Sequence, residues 1–88
     1  MIRKENKDRF IFVFCAVLNG KSFNQAGQLI DVTGSRARQI FSRIARMLRH
    51  PAIMGKDTAP FVNFNDSIND YRNNKDFWLK KIEILKNY

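Results

Sequence analysis

"SFNQAGQLIDVTGSRARQIFSRIARMLRHP", Ser22 to Pro51, is the stretch whose reading decides the fold. Ser22 and Gln25, three residues apart, have the spacing of a capping box at a helix start, and Phe23, Ala26, Leu29 and Ile30 share one helical face. Gly27 inside that helix costs about 1 kcal/mol relative to alanine. Such a glycine is explained where another backbone passes close to it. Asp31 follows, one of the few non-glycine residue types that tolerate the left-handed conformation of a tight interhelical turn. Thr33 then caps a longer helix reaching about Arg49, and Pro51 ends it by disfavouring helical geometry at His50.

On a wheel of 100° per residue, Ala37, Ile40, Phe41, Ile44 and Leu48 of the longer helix gather in one sector. Ser35, Gln39, Ser42 and Arg46 lie opposite, flanked by Arg36, Arg38, Arg43 and Arg49. One face is therefore core and the other cationic. Two capped helices joined by a short turn make a helix-turn-helix, over residues 22–50, whose second helix enters the major groove of DNA with its N-terminal residues toward the base edges. Arginine can bond guanine and glutamine can bond adenine bidentately, so Ser35, Arg36, Arg38 and Gln39 stand where bases are read. The free N–H groups at Thr33 and Gly34 suit a phosphate. Arg43, Arg46 and Arg49 are better placed for backbone phosphates. The candidate DNA-binding set is Thr33, Gly34, Ser35, Arg36, Arg38, Gln39, Ser42, Arg43 and Arg46.

Outward from this unit, residues 1–8, "MIRKENKD", are polar and expected to fray. A first helix is expected from about Asp8 to Leu18, stopped by Asn19 and Gly20. Its "FIFVF" would also suit a strand. A helix buried on most sides is preferred, since a lone strand among helices has no partner. From Pro51 to Asn65 the chain reads as irregular, with "FVNF", Phe61 to Phe64, as a short extended piece. Asp66 or Ser67 then caps a C-terminal helical region over 66–87, in which Ile68, Tyr71, Trp78, Ile82 and Leu85 share a face and "RNNKD" forms a potential break.

The 88 residues make one small domain, with eight phenylalanines among the residues available for its core. Sixteen Lys and Arg against eight Asp and Glu leave a formal charge of +8, which favours a polyanion: nucleic acid first, an anionic membrane surface second. "FIFVFCAVL", Phe10 to Leu18, falls short of the roughly 20 apolar residues that cross a bilayer. No small-residue cleavage site follows it, so the chain reads as cytoplasmic. Cys15 in that run is expected to be a buried, inert thiol. His50 has no companions at metal-ligand spacing and reads as a helix-end residue interacting with carbonyls. No catalytic triad can be assembled, so an enzyme is not expected, and neither is a cofactor or a metal.

From Ser22 to Pro51 the chain resembles, without a gap, the helix-turn-helix of the fourth conserved region of primary bacterial sigma factors. The shared positions include Gly27, Asp31, Val32, Thr33, Arg36, Arg38, Gln39, Ile40, Arg46, Leu48, Arg49, His50 and Pro51, so that "DVT", "RxRQI" and "LRHP" carry the likeness. The resemblance covers about a third of the chain. It implies that Gln39 contacts bases, that Arg38 contacts backbone or bases, and that Thr33 and Arg36 hold phosphate or stabilise the unit. In that family the unit reads an upstream promoter element and also touches RNA polymerase and activators.

The chain departs from the family at informative places. Gly34 and Ser35 stand where the family carries Arg and Glu, the side chains that do much of the promoter readout. Phe41 stands where it carries an acid, and Ile44-Ala45 where it has Ala-Leu. The expectation is thus a free-standing, sequence-dependent DNA-binding regulator of transcription, not a complete sigma factor, of a kind a mobile element would carry. Its rival is a sigma mimic or adaptor that binds RNA polymerase or another regulator with weak or no DNA binding. A module of DNA packaging or recombination is a third reading. A homodimer, formed through the C-terminal helix, would supply the affinity a single short site lacks. The expected fold is all-α: a buried first helix, the helix-turn-helix, and a C-terminal helix packing across the core.

Overall fold

A computed structural model describes residues 4–55 and 67–88. The regular structure of the described residues is all helical, with no strand among them, in the order α1 (Lys4–Leu18), α2 (Phe23–Leu29), α3 (Gly34–Leu48), α4 (Pro51–Met54), α5 (Ile68–Asn73) and α6 (Lys75–Lys86). The expected extended piece from Phe61 to Phe64 and the capping role considered for Asp66 lie outside the described residues.

Local signals set the two central helices. The Ser22 hydroxyl accepts from the Gln25 N–H at 3.1 Å and the Gln25 side chain accepts from the Ser22 N–H at 3.0 Å, completing the capping box. Thr33 caps α3 by accepting from the Arg36 N–H at 3.1 Å. Each such cap stabilises its helix by about 1 kcal/mol. Between them Asp31 takes φ +60°, the left-handed turn expected of it. The backbone that passes Gly27 is the turn itself: a Cβ there would lie 2.6 Å from the Val32 carbonyl oxygen and 2.9 Å from that of Thr33. The Val32 N–H donates to the Gly27 carbonyl at 2.8 Å, so the turn is bonded down where the missing side chain leaves room.

The stripe of α3 is buried as its periodicity requires, with Ala37, Ile40, Phe41, Ile44 and Leu48 joined by Ala45. Phe41 is the centre of an aromatic cluster. It stacks on Phe14 of α1 at 4.7 Å between centroids and meets Phe23 of α2 and Tyr71 of α5 edge-on at 5.8 and 5.2 Å. Tyr71 passes the contact on to Trp78 of α6 at 5.0 Å. Phe41 therefore belongs to the core, and α5 and α6 are its cover.

Three expectations need correction. The first helix begins at Lys4, not near Asp8, so the polar segment 4–8 is helical. A long-range bond holds it: Lys7 Nζ donates to the Leu85 carbonyl at 3.1 Å, tying α1 to the end of α6. Over its apolar run α1 is buried on most sides, as expected, with Phe10, Ile11, Val13, Phe14, Val17 and Leu18 buried and Phe12, 51% exposed, facing outward. The chain after Pro51 is not irregular from the start, since Pro51–Met54 forms the short helix α4. Proline suits a first helical position, where its fixed φ fits and no N–H is needed. His50 is its N-cap, with Nδ1 accepting from the Ala52 N–H at 3.1 Å. It thus accepts from an N–H and does not serve the carbonyls expected for it.

The C-terminal region is broken at Asn74, within the "RNNKD" segment. Ser67 opens α5 with its own capping box, closed by Asp70. Tyr71, Trp78, Ile82 and Leu85 are buried and Ile68 is half-buried, so the shared face is the one laid on the core. Phe77 is half-buried and stands edge-on to Trp78 at 5.2 Å. Two further cations stitch these helices to distant backbone. Arg72 donates through Nε to the Val17 carbonyl at 3.0 Å and through Nη2 to that of Lys21 at 3.1 Å. Lys81, 7% exposed, donates to the Met54 carbonyl at 3.0 Å.

Candidate nucleic-acid interface

The exposed side of α3 is built by the same periodicity that buries the other. Ser35, Arg36, Arg38, Gln39, Ser42, Arg43 and Arg46 line one shallow concavity of about 630 Å³ along the outer surface of the helix. Every one of these side chains is exposed, and none is acidic. Of the nine expected site residues the helix thus brings seven into one concavity. The other two stand at its N-terminus, where Thr33 is the cap and Gly34 the first helical residue.

Among the described residues, Arg36, Arg38, Arg43 and Arg46 form no ion pair; the ion pair seen there joins Lys86 to Glu83 on α6. Four guanidinium groups on one helix face repel one another and are only partly screened at physiological salt. An anionic ligand would relieve that repulsion.

Two members of the set are held in place. The Arg36 guanidinium lies over the Phe10 ring, 5.6 Å from its centroid, and Arg36 Nη1 donates to Gln39 Oε1 at 3.3 Å. With its oxygen engaged, Gln39 is left with an amide N–H₂ to present outward. At the helix start, a Cβ on Gly34 would collide with the Asn24 side chain of α2. Asn24 therefore occupies the space into which a side chain at position 34 would project first.

One basic feature was not legible in the sequence. Arg38, Ser42, Arg46 and Arg49 also form the α3 side of a second groove, of about 650 Å³, whose far wall is Ser67, Asn69 and Arg72 of α5. Arg72 lies 23 residues beyond Arg49 in the chain, and no periodicity links two helices across such a connection. Arg49 was expected to meet phosphates. It lies in this groove, donating through Nη2 to the Tyr71 hydroxyl at 2.6 Å.

Cys15, expected to be buried, is half-buried on α1 apart from the interface, and the burial it has pushes its thiol up. Among the described residues no cluster of His, Cys, Asp and Glu could hold a metal ion. No helix among them is long and apolar enough to cross a membrane. Comparisons of the chain with protein-family models, with curated proteins and with solved structures found no match.

Proposed function

We propose that this protein binds double-stranded DNA in a sequence-dependent way and regulates transcription, with α3 lying in the major groove. The observation that carries the reading is the outer face of α3: a carboxylate-free row of arginines and one glutamine, on a helix held rigid by its cap, its turn and its buried stripe. An α-helix of this width fills a major groove about 12 Å across. Arg38 and Gln39 are assigned to base edges, Ser35 and Arg36 to bases or the nearest phosphates, and Ser42, Arg43 and Arg46 to the backbone. Thr33 and Gly34 offer N–H groups at the helix start.

The likeness to the sigma region supports the same docking mode, while Gly34 and Ser35 argue for a different DNA sequence from that family's promoter element. A second reading, an adaptor that contacts RNA polymerase or another regulator, draws on the same two residues, since they remove readout side chains. The retained Arg36, Arg38 and Gln39, all exposed, favour DNA.

The test is selection of bound duplexes from a random pool, followed by titration of selected and random DNA at several salt concentrations. Neutralising about five phosphates gives a slope of log K against log salt near −4 to −5. Arg38→Ala and Gln39→Ala each weaken selected sites by about 1 to 3 kcal/mol, with smaller losses on random DNA, if they read bases. Absence of binding at low salt would sink the DNA reading.

A further inference from the structure

We propose that the groove between α3 and α5 is a second DNA-contacting site, which seats the sugar-phosphate backbone of one strand beside the recognition helix. This rests on the DNA-binding reading above and extends it beyond the helix-turn-helix. The side chains of α3 sort into two edges about its solvent face. Arg36, leaning on Phe10, faces α1, whereas Arg38, Ser42, Arg46 and Arg49 face α5. A helix that fills the major groove brings each edge against one of the two strands that wall it. The strand on the α5 side would meet not one helix but a trough.

The chemistry of that trough matches a phosphodiester chain. Arg38, Arg46, Arg49 and Arg72 border it, Ser67 and Asn69 add short polar groups, and among the described residues no carboxylate side chain lines it. Its floor of Phe23, Phe41, Ala45 and Ile68 offers apolar surface to sugars. Arg72 is fixed by its two bonds to the carbonyls of Val17 and Lys21, at the end of α1, so its positive charge is held in position before DNA arrives. Arg49 is aimed by Tyr71. Phosphate contacts of this kind set the register and orientation of a protein on the duplex without reading sequence. The assignment gives α5 a function besides covering Phe41: it determines on which side of the recognition helix the protein grips its DNA.

The experiment uses the full chain and its selected duplex. Asn69→Glu places a carboxylate in the trough on an exposed helical position and leaves the core untouched, while Arg49→Gln and Arg72→Gln remove charge. Circular dichroism confirms that each variant is folded, and Asn69→Glu carries the test alone if Arg72→Gln is not. Asn69→Glu is expected to weaken binding about tenfold near 0.1 M salt, and loss of one arginine contact to flatten the salt slope by about 0.9. Neutral methylphosphonates introduced one at a time should identify one or two phosphates on a single strand whose neutralisation weakens the wild type several-fold and Asn69→Glu much less. Wild-type binding that is unchanged in affinity and slope by all three substitutions overturns the groove assignment and leaves the recognition helix standing. That result would also follow if the trough received an acidic protein segment. No binding by the wild type removes both proposals together.

Discussion

The Val32 carbonyl oxygen would stand 2.6 Å from a Cβ at Gly27, closer than folded proteins allow. Val32 cannot retreat, because its own N–H is bonded to the Gly27 carbonyl and the turn continues at once into the α3 cap. Gly27→Ala therefore gains about 1 kcal/mol of helix propensity and loses more to overpacking. A net destabilisation of about 1 to 2 kcal/mol is expected in urea unfolding. A neutral or stabilised variant would show that the turn is not pinned where the structure has it.

Phe41 touches rings from three other helices, and its removal leaves a hole at their meeting point. Phe41→Ala should cost about 3 to 5 kcal/mol, a large share of the stability of so small a domain. Phe41→Glu, which would bury a carboxylate among these rings, should fail to fold. If Phe41→Glu melts within a few degrees of the wild type, α5 is not the cover of this face.

Arg36 and Gln39 act as a pair if the 3.3 Å bond between them orients the glutamine amide. Arg36→Ala should then reduce discrimination at the base pair read by Gln39, beyond a uniform loss of affinity. A double-mutant cycle on selected DNA should give a coupling of about 0.5 kcal/mol or more. Strict additivity would make them independent contacts. The stability of Arg36→Ala should change by less than about 1 kcal/mol, as the cation lies over Phe10 at an exposed site.

Burial pushes the Cys15 thiol above its ordinary range; the attraction of Lys86 opposes this and the repulsion of Glu83 adds to it. The thiolate is the nucleophile, so iodoacetamide should label native protein at pH 8 more slowly than the same chain in urea. The sign for stability follows. The folded thiol keeps its proton where the unfolded one has lost it, so this contribution is complete below the unfolded value of about 9 and is lost as pH rises through the folded one. Equal labelling in both states would contradict the partial burial of this thiol.

Which parts of this molecule could be read from its sequence depended on how far apart the determining residues lie. The capping box, the left-handed Asp31, the Thr33 cap and the two-faced α3 are each set within a few residues, and all were expected from spacing alone. The segment 4–8 looked like a frayed tail because its anchor, the Leu85 carbonyl, lies 78 residues away from Lys7. Helix α4 carried a local signal, a proline after a side chain able to cap, that was read only as a stop. Ala45 sits at the margin of the apolar sector and is buried all the same, which the sector alone did not require. The groove shared by Arg46 and Arg72 has no counterpart in any sequence window.

The bonds from Lys7 to Leu85 and from Arg72 to the end of α1 join the beginning of the chain to its last helices. During synthesis the central pair of helices emerges well before the segments that cover Phe41 and fasten α1. The cationic face of α3 is therefore set in its frame only after α6 has left the ribosome, and a nascent chain carrying α3 alone holds the arginines without the frame that aims them. For the same reason a shortened gene product ending after α4 would not be a smaller folded domain but an unfolded polycation.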